Sequence, residues 1–559
     1  MKRFFSEPEP RKIAYFSMEI GLDGSMPTYS GGLGVLAGDT IRSAADLSVP
    51  MVAVSLVHEK GYFSQKLHGD GSQEEVPSSW RVEDFLEPLD VQVIITIEGR
   101  EVRIKPWRKI IRGEKGYEVP IIFLDTNVPG NSDYDKTLTS HLYGGDQKYR
   151  FAQEMILGIG GLRMLNALGF NNLRKYHMNE GHASLLTLEL YKESDNENLE
   201  NVRHKCVFTT HTPVPAGHDR FETGLVKELM PNFPFEIRDL IDGDGKVNMT
   251  LIGLYFSNYV NGVAKKHGEV SQEMFPNYPI HSITNGVHSA SWTSSEMREL
   301  FDRFIPDWRL DPFTLRYAAG IPDKEILDAH RENKKVLVDE INARHNTSLK
   351  PDVFTIGFAR RATSYKRPDL LFFDIERLKK IAEEHGKIQL VYAGKAHKKD
   401  FAGKDIIKRL VSIGKELGDK IEMVYLDDYD ITLAKVLIPG VDIWLNTPMR
   451  PKEASGTSGM KAAHNGVPSL SILDGWWLEG CIEGVTGWSI GDKNPVMDEQ
   501  AQNVKDADSL YGKLEKIIPL YYNDKHEWAE IMKHTIVINA SFFNTHRMVS
   551  QYVLKAYFH

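Results

Sequence analysis

Short apolar runs that end in polar residues alternate along this chain with segments of helical spacing, and no other feature restricts its fold as much. Ile13–Ser17, Met51–Leu56 and residues 91–97, 119–124, 176–179 and 206–210 predict strands. Residues 36–47 and 149–168 predict helices, the second ended by Gly169, a residue that suits a helix stop. A second cycle opens near residue 352. Residues 353–358 predict a strand, 368–385 an amphipathic helix and Ile388–Ala393 the next strand; a strand at 423–426, a helix at 431–438 and a strand at 443–445 follow. Strands alternating with helices build parallel sheets. The expected fold class is therefore α/β, with two doubly wound domains facing a central cleft at the carboxyl ends of their strands.

At 559 residues the chain exceeds a single hydrophobic core. The expected division is an N-terminal domain at 1–295, a mainly helical connection at 296–350, a second α/β domain at 351–525 and C-terminal helices at 526–559. Those last helices, broken near Asn544 and Thr545, are free to pack back on the first domain. A net charge of −9 argues against a general nucleic-acid surface while leaving room for a local basic pocket. Cys206 and Cys481 cannot build a disulfide framework or a cysteine-rich metal site, which points to a reducing cytoplasm. Charge and proline interrupt the first ten residues before any leader-like apolar run, and no stretch approaches the ~20 apolar residues of a membrane span.

The segment richest in chemistry is 453–466, a small-residue turn that opens into a helix bearing Lys461. Backbone N–H groups of Gly456, Thr457, Ser458 and Gly459 can converge on one anion, and a helix start favours negative charge. An amine beside such a cradle suits a Schiff base with an aldehyde cofactor that also bears a phosphate, and pyridoxal 5′-phosphate has both groups. Taken alone, the same residues also make an ordinary loop and helix surface. Tyr29-Ser30-Gly31-Gly32-Leu33-Gly34 lets a backbone approach an anion closely, or simply makes a tight turn. Arg360, Arg361, Lys366 and Arg367 crowd the segment after a predicted strand, enough to hold inorganic phosphate or to line a solvated face. His182 and His211 each lie just past a strand, placed for a sugar hydroxyl or for a structural bond. No histidine or cysteine spacing supports a metal, and residues 242–246 fail as a calcium loop and predict a turn.

In series these segments resemble the α-glucan phosphorylases. The resemblance runs through residues 15–19, 31–34, 179–182, 210–212, 248–249, 260–265, 284–287, Trp292, 360–367, 394–396, Tyr429 and 453–457, and covers most of the chain. It implies two Rossmann-like domains in a GT-B-like glycosyltransferase architecture. The implied activity is reversible, retaining phosphorolysis of an α-1,4-glucan such as maltodextrin, glycogen or starch, giving glucose 1-phosphate. It further implies Lys461 as the tether of pyridoxal 5′-phosphate, with Gly456, Thr457 and Ser458 near the cofactor phosphate and Tyr429, Trp292 and Gly32 beside the cofactor. Arg361 and Lys366, with the Gly32 N–H, would hold the substrate phosphate. His211, Asn285 and Glu453 would meet the glucosyl unit, and His182 would line the same pocket.

Some features depart from the common long form. Ser458-Gly459-Met460 stands before the lysine as in a shorter branch, Val35 replaces a basic residue, and the chain has no room for the regulatory N-terminal extension, so control through those parts is not expected. Trp476 and Trp477 would stack on acceptor sugars or pack in the core. Homo-oligomers are usual in the family, and the sequence leaves that state open. The main alternative is a retaining sugar-nucleotide glucosyltransferase of the glycogen or starch synthase type. Many of those place a second glutamate where Lys461 stands, so the lysine favours the cofactor.

Overall fold

The computed structural model describes residues 11–78, 80–194, 197–345, 347–492 and 498–558; the first ten residues, on which the leader expectation rests, lie outside them. The chain forms two compact units. The first is drawn from Met1–Phe63, Pro77–Thr284 and Thr545–His559, the second from Ser64–Val76 and Asn285–Asn544.

In the first unit the strands lie in the order His281–Ser282, Tyr259–Gly262, Cys206–Thr209, Lys175–Asn179, Ile13–Ser17, Met51–Leu56, Glu118–Asp125, Arg100–Arg112, Glu87–Pro88. Neighbours are parallel as far as Glu118–Asp125 and antiparallel beyond it. Parallel strands are covered by helices on both faces, and accordingly every residue of Ile13–Ser17 and Met51–Leu56 is buried. Chain order reverses between Ile13–Ser17 and Lys175–Asn179, which makes the loops after these two strands the switch point of the sheet. The helical segment predicted at 149–168 continues through a π-helical stretch, Ile156–Gly160, and ends at Gly169 with φ of +88°.

The last residues of the chain finish this unit. Tyr557 OH lies 2.7 Å from His177 Nδ1, and Tyr552 OH accepts from Asn261 Nδ2 at 3.0 Å while contacting Thr209 Oγ1 at 3.1 Å. The three partners, His177, Asn261 and Thr209, are all buried, hence a lost Tyr552 hydroxyl strands a buried donor. Tyr552→Phe should cost about 1–3 kcal/mol, read as a lower urea midpoint with unchanged m-value.

In the second unit the order is Glu422–Leu426, Ile388–Ala393, Phe354–Ala359, Ile443–Asn446, Ser469–Ile472, Gly487–Ile490, and every pair is parallel. This is the 3-2-1-4-5-6 order of doubly wound folds, with its switch point between Phe354–Ala359 and Ile443–Asn446. The α/β class and the doubly wound topology expected for both halves are thus observed. The helix predicted over 368–385 is shorter: a 3-10 turn at Leu370–Phe372 comes first, and Asp374 then caps Ile375–His385 by accepting the Arg377 N–H. Residues 295–350 contain helices Ser295–Phe304 and Asp323–His345, whose apolar faces, including Leu300, Phe301 and Ile326, join this unit's core.

The hairpin of Ser64–Leu67 and Gln73–Val76 belongs to this unit although its sequence lies within 1–295. Two glutamines explain it. Gln65 exchanges hydrogen bonds with Asp428 and donates to the Gly394 carbonyl, while Gln73 exchanges hydrogen bonds with the Ala396 backbone. No helix among the described residues is long and apolar enough to cross a membrane. Cys206 and Cys481 are both free thiols.

Candidate functional site

At the switch point of the first unit, Glu19 sits two residues past Ile13–Ser17 and turns its carboxylate into the glycine loop. Oε2 accepts the N–H groups of Ser30 at 2.5 Å and Gly31 at 3.3 Å, and Oε1 accepts Tyr143 OH at 2.8 Å. A Cβ on Gly34 would lie 2.8 Å from Glu19 Oε2, so glycine is what lets the loop close on this carboxylate. Gly32 begins the helix Gly32–Asp46, is exposed, and has open space about its α-carbon. Its first-turn N–H has no intrahelical acceptor.

Lys175–Asn179 and Cys206–Thr209 deliver the polar cluster beside it. Asn179 donates Nδ2–H to Ser17 Oγ at 3.0 Å, which leaves Oδ1 to accept from His211 Nε2 at 2.6 Å. Nδ1 of His211 is then the bare acceptor. Burial pushes His211 down to about 4 against the pull of Glu180, so the ring is neutral near pH 7. Glu180 has φ of +78°, unusual for a residue with a side chain, and its carboxylate gathers the N–H groups of Gly181 and His211 and the Thr212 hydroxyl. Burial raises this carboxyl, but the facing His218, His211 and His182 outweigh it and hold it below the usual range. His182 Nε2 lies 3.3 Å from Asp219 Oδ2, the oxygen that also takes Arg150 Nη2 at 2.7 Å. The Arg150 guanidinium in turn lies over the Tyr143 ring at 4.4 Å. The sequence alone assigns no role to Glu19, Glu180, Asp219 or Arg150. Glu19 and Glu180 lie within motif segments; nothing local marks Asp219.

In the second unit the loops after Phe354–Ala359 and Ile443–Asn446 meet through Glu453. Its Oε2 accepts Lys366 Nζ at 2.5 Å and Arg360 Nη2 at 2.7 Å, with all three side chains almost fully buried. Burial would raise this carboxyl, yet the two cations hold it down at about 2. A guanidinium has five donors and an ammonium three, so each cation keeps donors for a further anion. Arg361 is exposed, and the arginine that shares the carboxylate is its neighbour Arg360. Arg367 is structural: it binds the Thr447 and Pro448 carbonyls, Asn503 and Asp506. Half-buried Tyr429 is pushed up by burial and Asp430, with the Arg360 charge opposing, which puts its hydroxyl within the field of that cation.

Lys461 is buried in the helix Ser458–Ala463, with Nζ 3.7 Å from the centre of the Trp292 ring. Two residues on the same helix run fix that stacking. Asn465 Nδ2 bridges the Trp292 and Lys461 carbonyls at 2.8 and 2.9 Å, and His464 Nε2 meets Ser289 Oγ at 2.9 Å. Gly456 adopts φ of +76° to turn the chain into Thr457, and Ser458 Oγ is taken by Trp444 Nε1 at 3.0 Å. Asn285 is buried on the segment leading to Trp292, next to Gly286, where a Cβ would strike the Asn544 carbonyl at 2.3 Å. This part of the chain offers a buried primary amine against an aromatic face, cations with spare donors, and Ser455 Oγ and Thr363 Oγ1, which are buried without hydrogen-bond partners. These residues fit an aromatic aldehyde carrying a phosphate. Trp476 and Trp477 lie inside the core, the first against Phe543 at 4.9 Å, which answers in favour of packing.

Two doubly wound sheets in one chain, the first mainly and the second wholly parallel, with amide, imidazole and carboxylate groups at one switch point and cations around an acid at the other, make a GT-B-like glycosyltransferase fold. The family model described as carbohydrate phosphorylase matches residues 234–483. A maltodextrin phosphorylase of Thermococcus litoralis is 38% identical over 590 residues, spanning 98% of this chain and 70% of that protein. Glycogen phosphorylases of Aquifex aeolicus and Mycobacterium tuberculosis are 33% and 34% identical, spanning 99% and 97% of this chain and 87% and 70% of theirs. The chain belongs to the carbohydrate phosphorylase family.

Proposed function

We propose that this protein is an α-glucan phosphorylase: it transfers the terminal glucosyl unit of an α-1,4-glucan to inorganic phosphate, reversibly and with retention, giving α-D-glucose 1-phosphate. The observation that carries this reading is the pairing, on adjoining loops of one sheet, of buried Lys461 with the Arg360–Glu453–Lys366 cluster. We assign Lys461 as the tether for pyridoxal 5′-phosphate, with Gly456, Thr457, Ser458 and Arg360 toward its phosphate and Trp292 and Tyr429 beside its ring. When bound, this cofactor supplies a phosphate that exchanges a proton with the substrate phosphate.

Lys366 and Arg361, with the Gly32 N–H, orient the substrate phosphate and offset its charge. The phosphate gives its proton to the glycosidic oxygen, the bond from C1 to that oxygen breaks, and a phosphate oxygen then bonds to C1 on the same face. Neutral His211 cannot add a positive charge beside the developing cationic centre and offers a hydrogen bond to a sugar hydroxyl instead. Asn285 and Glu453 take further hydroxyls, and His182 completes that lining. The glucan, phosphate and glucose 1-phosphate are the partners in this reading, and a cytoplasmic setting goes with the free thiols.

Purified protein supplied with cofactor, maltodextrin and phosphate should release glucose 1-phosphate with no nucleotide present; release of none overturns the reading. Lys366→Ala should lower kcat/KM for phosphate by about a hundredfold, the scale of one charged hydrogen bond at ~3 kcal/mol. An unchanged KM for phosphate would remove Lys366 from this role.

A further inference from the structure

Asp474 follows the strand Ser469–Ile472, next in the sheet to Ile443–Asn446, from which the Glu453 loop departs. It is buried at 3% exposure and spends both oxygens on backbone: Oδ2 accepts the Glu453 N–H and Oδ1 the Gly475 N–H, each at 2.9 Å. The next residues press on the same loop. Gly475 has φ of +55°, and a Cβ there would lie 2.3 Å from the Ser455 carbonyl oxygen, which itself accepts the Trp476 N–H at 2.9 Å. The Trp476 ring then supports the lysine helix, since a Cβ on Gly459 would meet it at 2.7 Å. One acid and its two successors thus fix 453–459 from below.

We propose that Asp474 is a positioning residue that sets the backbone of Glu453, and through it the place where the Glu453 carboxylate meets Arg360 and Lys366. The proposal rests on the phosphorylase reading for what Glu453 does, but not for the geometry. Asp474 is also poised to titrate: burial, with the Glu453 charge adding to it, pushes it up to about 7, against the Glu453 and Gly475 N–H groups and the Arg450 charge. The charged groups that face it are Glu453 and Arg450, and Glu453 is itself neutralised by Arg360 and Lys366. As a carboxylate Asp474 grips both N–H groups more strongly than as an acid. The loop is therefore best held above the titration.

The signs of the two consequences are opposite. Activity set by the loop rises as Asp474 ionises. Stability moves the other way: the folded protein holds the proton more tightly than the unfolded chain, so the contribution is present below the ordinary aspartate range and is lost as pH rises to about 7.

Comparison of wild-type holoenzyme with Asp474→Asn from about pH 5 to about pH 8 tests both. The ratio of their kcat/KM values, in which the titration of phosphate itself cancels, should rise about five- to tenfold across the range, while the Tm difference falls over the same interval. A flat ratio with an active wild type overturns the positioning role, whereas an inactive wild type overturns the phosphorylase reading and leaves the Tm arm to judge Asp474. A pH-independent Tm difference overturns its titration. Should Asp474→Asn fail to fold, the infrared band of a buried protonated carboxyl in wild type must vanish across the same pH interval, and its absence at the acid end counts against the proposal.

Discussion

Lys461→Ala should give a folded protein that holds no pyridoxal phosphate and releases no measurable glucose 1-phosphate, a loss on the order of a thousandfold or more. Folding should survive because alanine is the best helix former and because Asn465 and His464 hold the helix to the Trp292 segment without help from the lysine side chain. The amine lies against the Trp292 ring, and losing a cation–π contact costs about 0.5–2 kcal/mol. The variant should thus melt within a few degrees of wild type while its near-ultraviolet cofactor absorbance is gone. Full activity in the variant would remove the tether from the mechanism. Absorbance retained after extensive dialysis would place the covalent link on another lysine, and Lys366 is then the first to examine because it is buried on Glu453, at the start of the loop that leads into the lysine helix.

How much of this was legible in the sequence depends on the range of each contact. The 453–466 loop and the alternating strands could be read because their signals are local: small residues for tight turns, period-two and period-3.6 patterns for buried elements. Arg100–Arg112 escaped because charged residues alternate along it, so no apolar run announces a strand. Adjacent residues on an extended segment face opposite ways, which is why a basic run could not tell Arg360, buried on Glu453, from exposed Arg361. Glu19 reaches Tyr143 and Gln65 reaches Asp428, contacts that only the folded topology creates. Asp474 was visible as a residue, but its task depends on two neighbouring strands running parallel.

The second large effect is on stability, at a place remote from the chemistry. Lys334, 1% exposed, donates to Asp442 Oδ2 at 2.5 Å, to the Val353 carbonyl at 2.6 Å and to Tyr521 OH at 3.2 Å. Asp442 also accepts the Thr355 N–H at 2.7 Å and meets His330 Nε2 at 3.0 Å, so one carboxylate joins the long helix Asp323–His345 to the start of the first and fourth strands of its sheet. Lys334→Ala leaves that carboxylate buried without its cation and should cost about 3–5 kcal/mol, read in urea by tryptophan fluorescence. Burial raises Asp442, but Lys334 outweighs it and holds the group below its ordinary value. The pair therefore stabilises above the unfolded aspartate pKa and is lost as pH falls below it. In the variant, burial acts with far less opposition, the acid takes up a proton more readily, and stability declines as pH rises. The deficit should be largest near neutrality and shrink toward about pH 4. Exchanging both partners for apolar residues should cost less than the two single changes added together, because an ion pair removed whole leaves no stranded charge. A deficit under about 1 kcal/mol, or one independent of pH, would mean that water or His330 satisfies Asp442 when the lysine is gone.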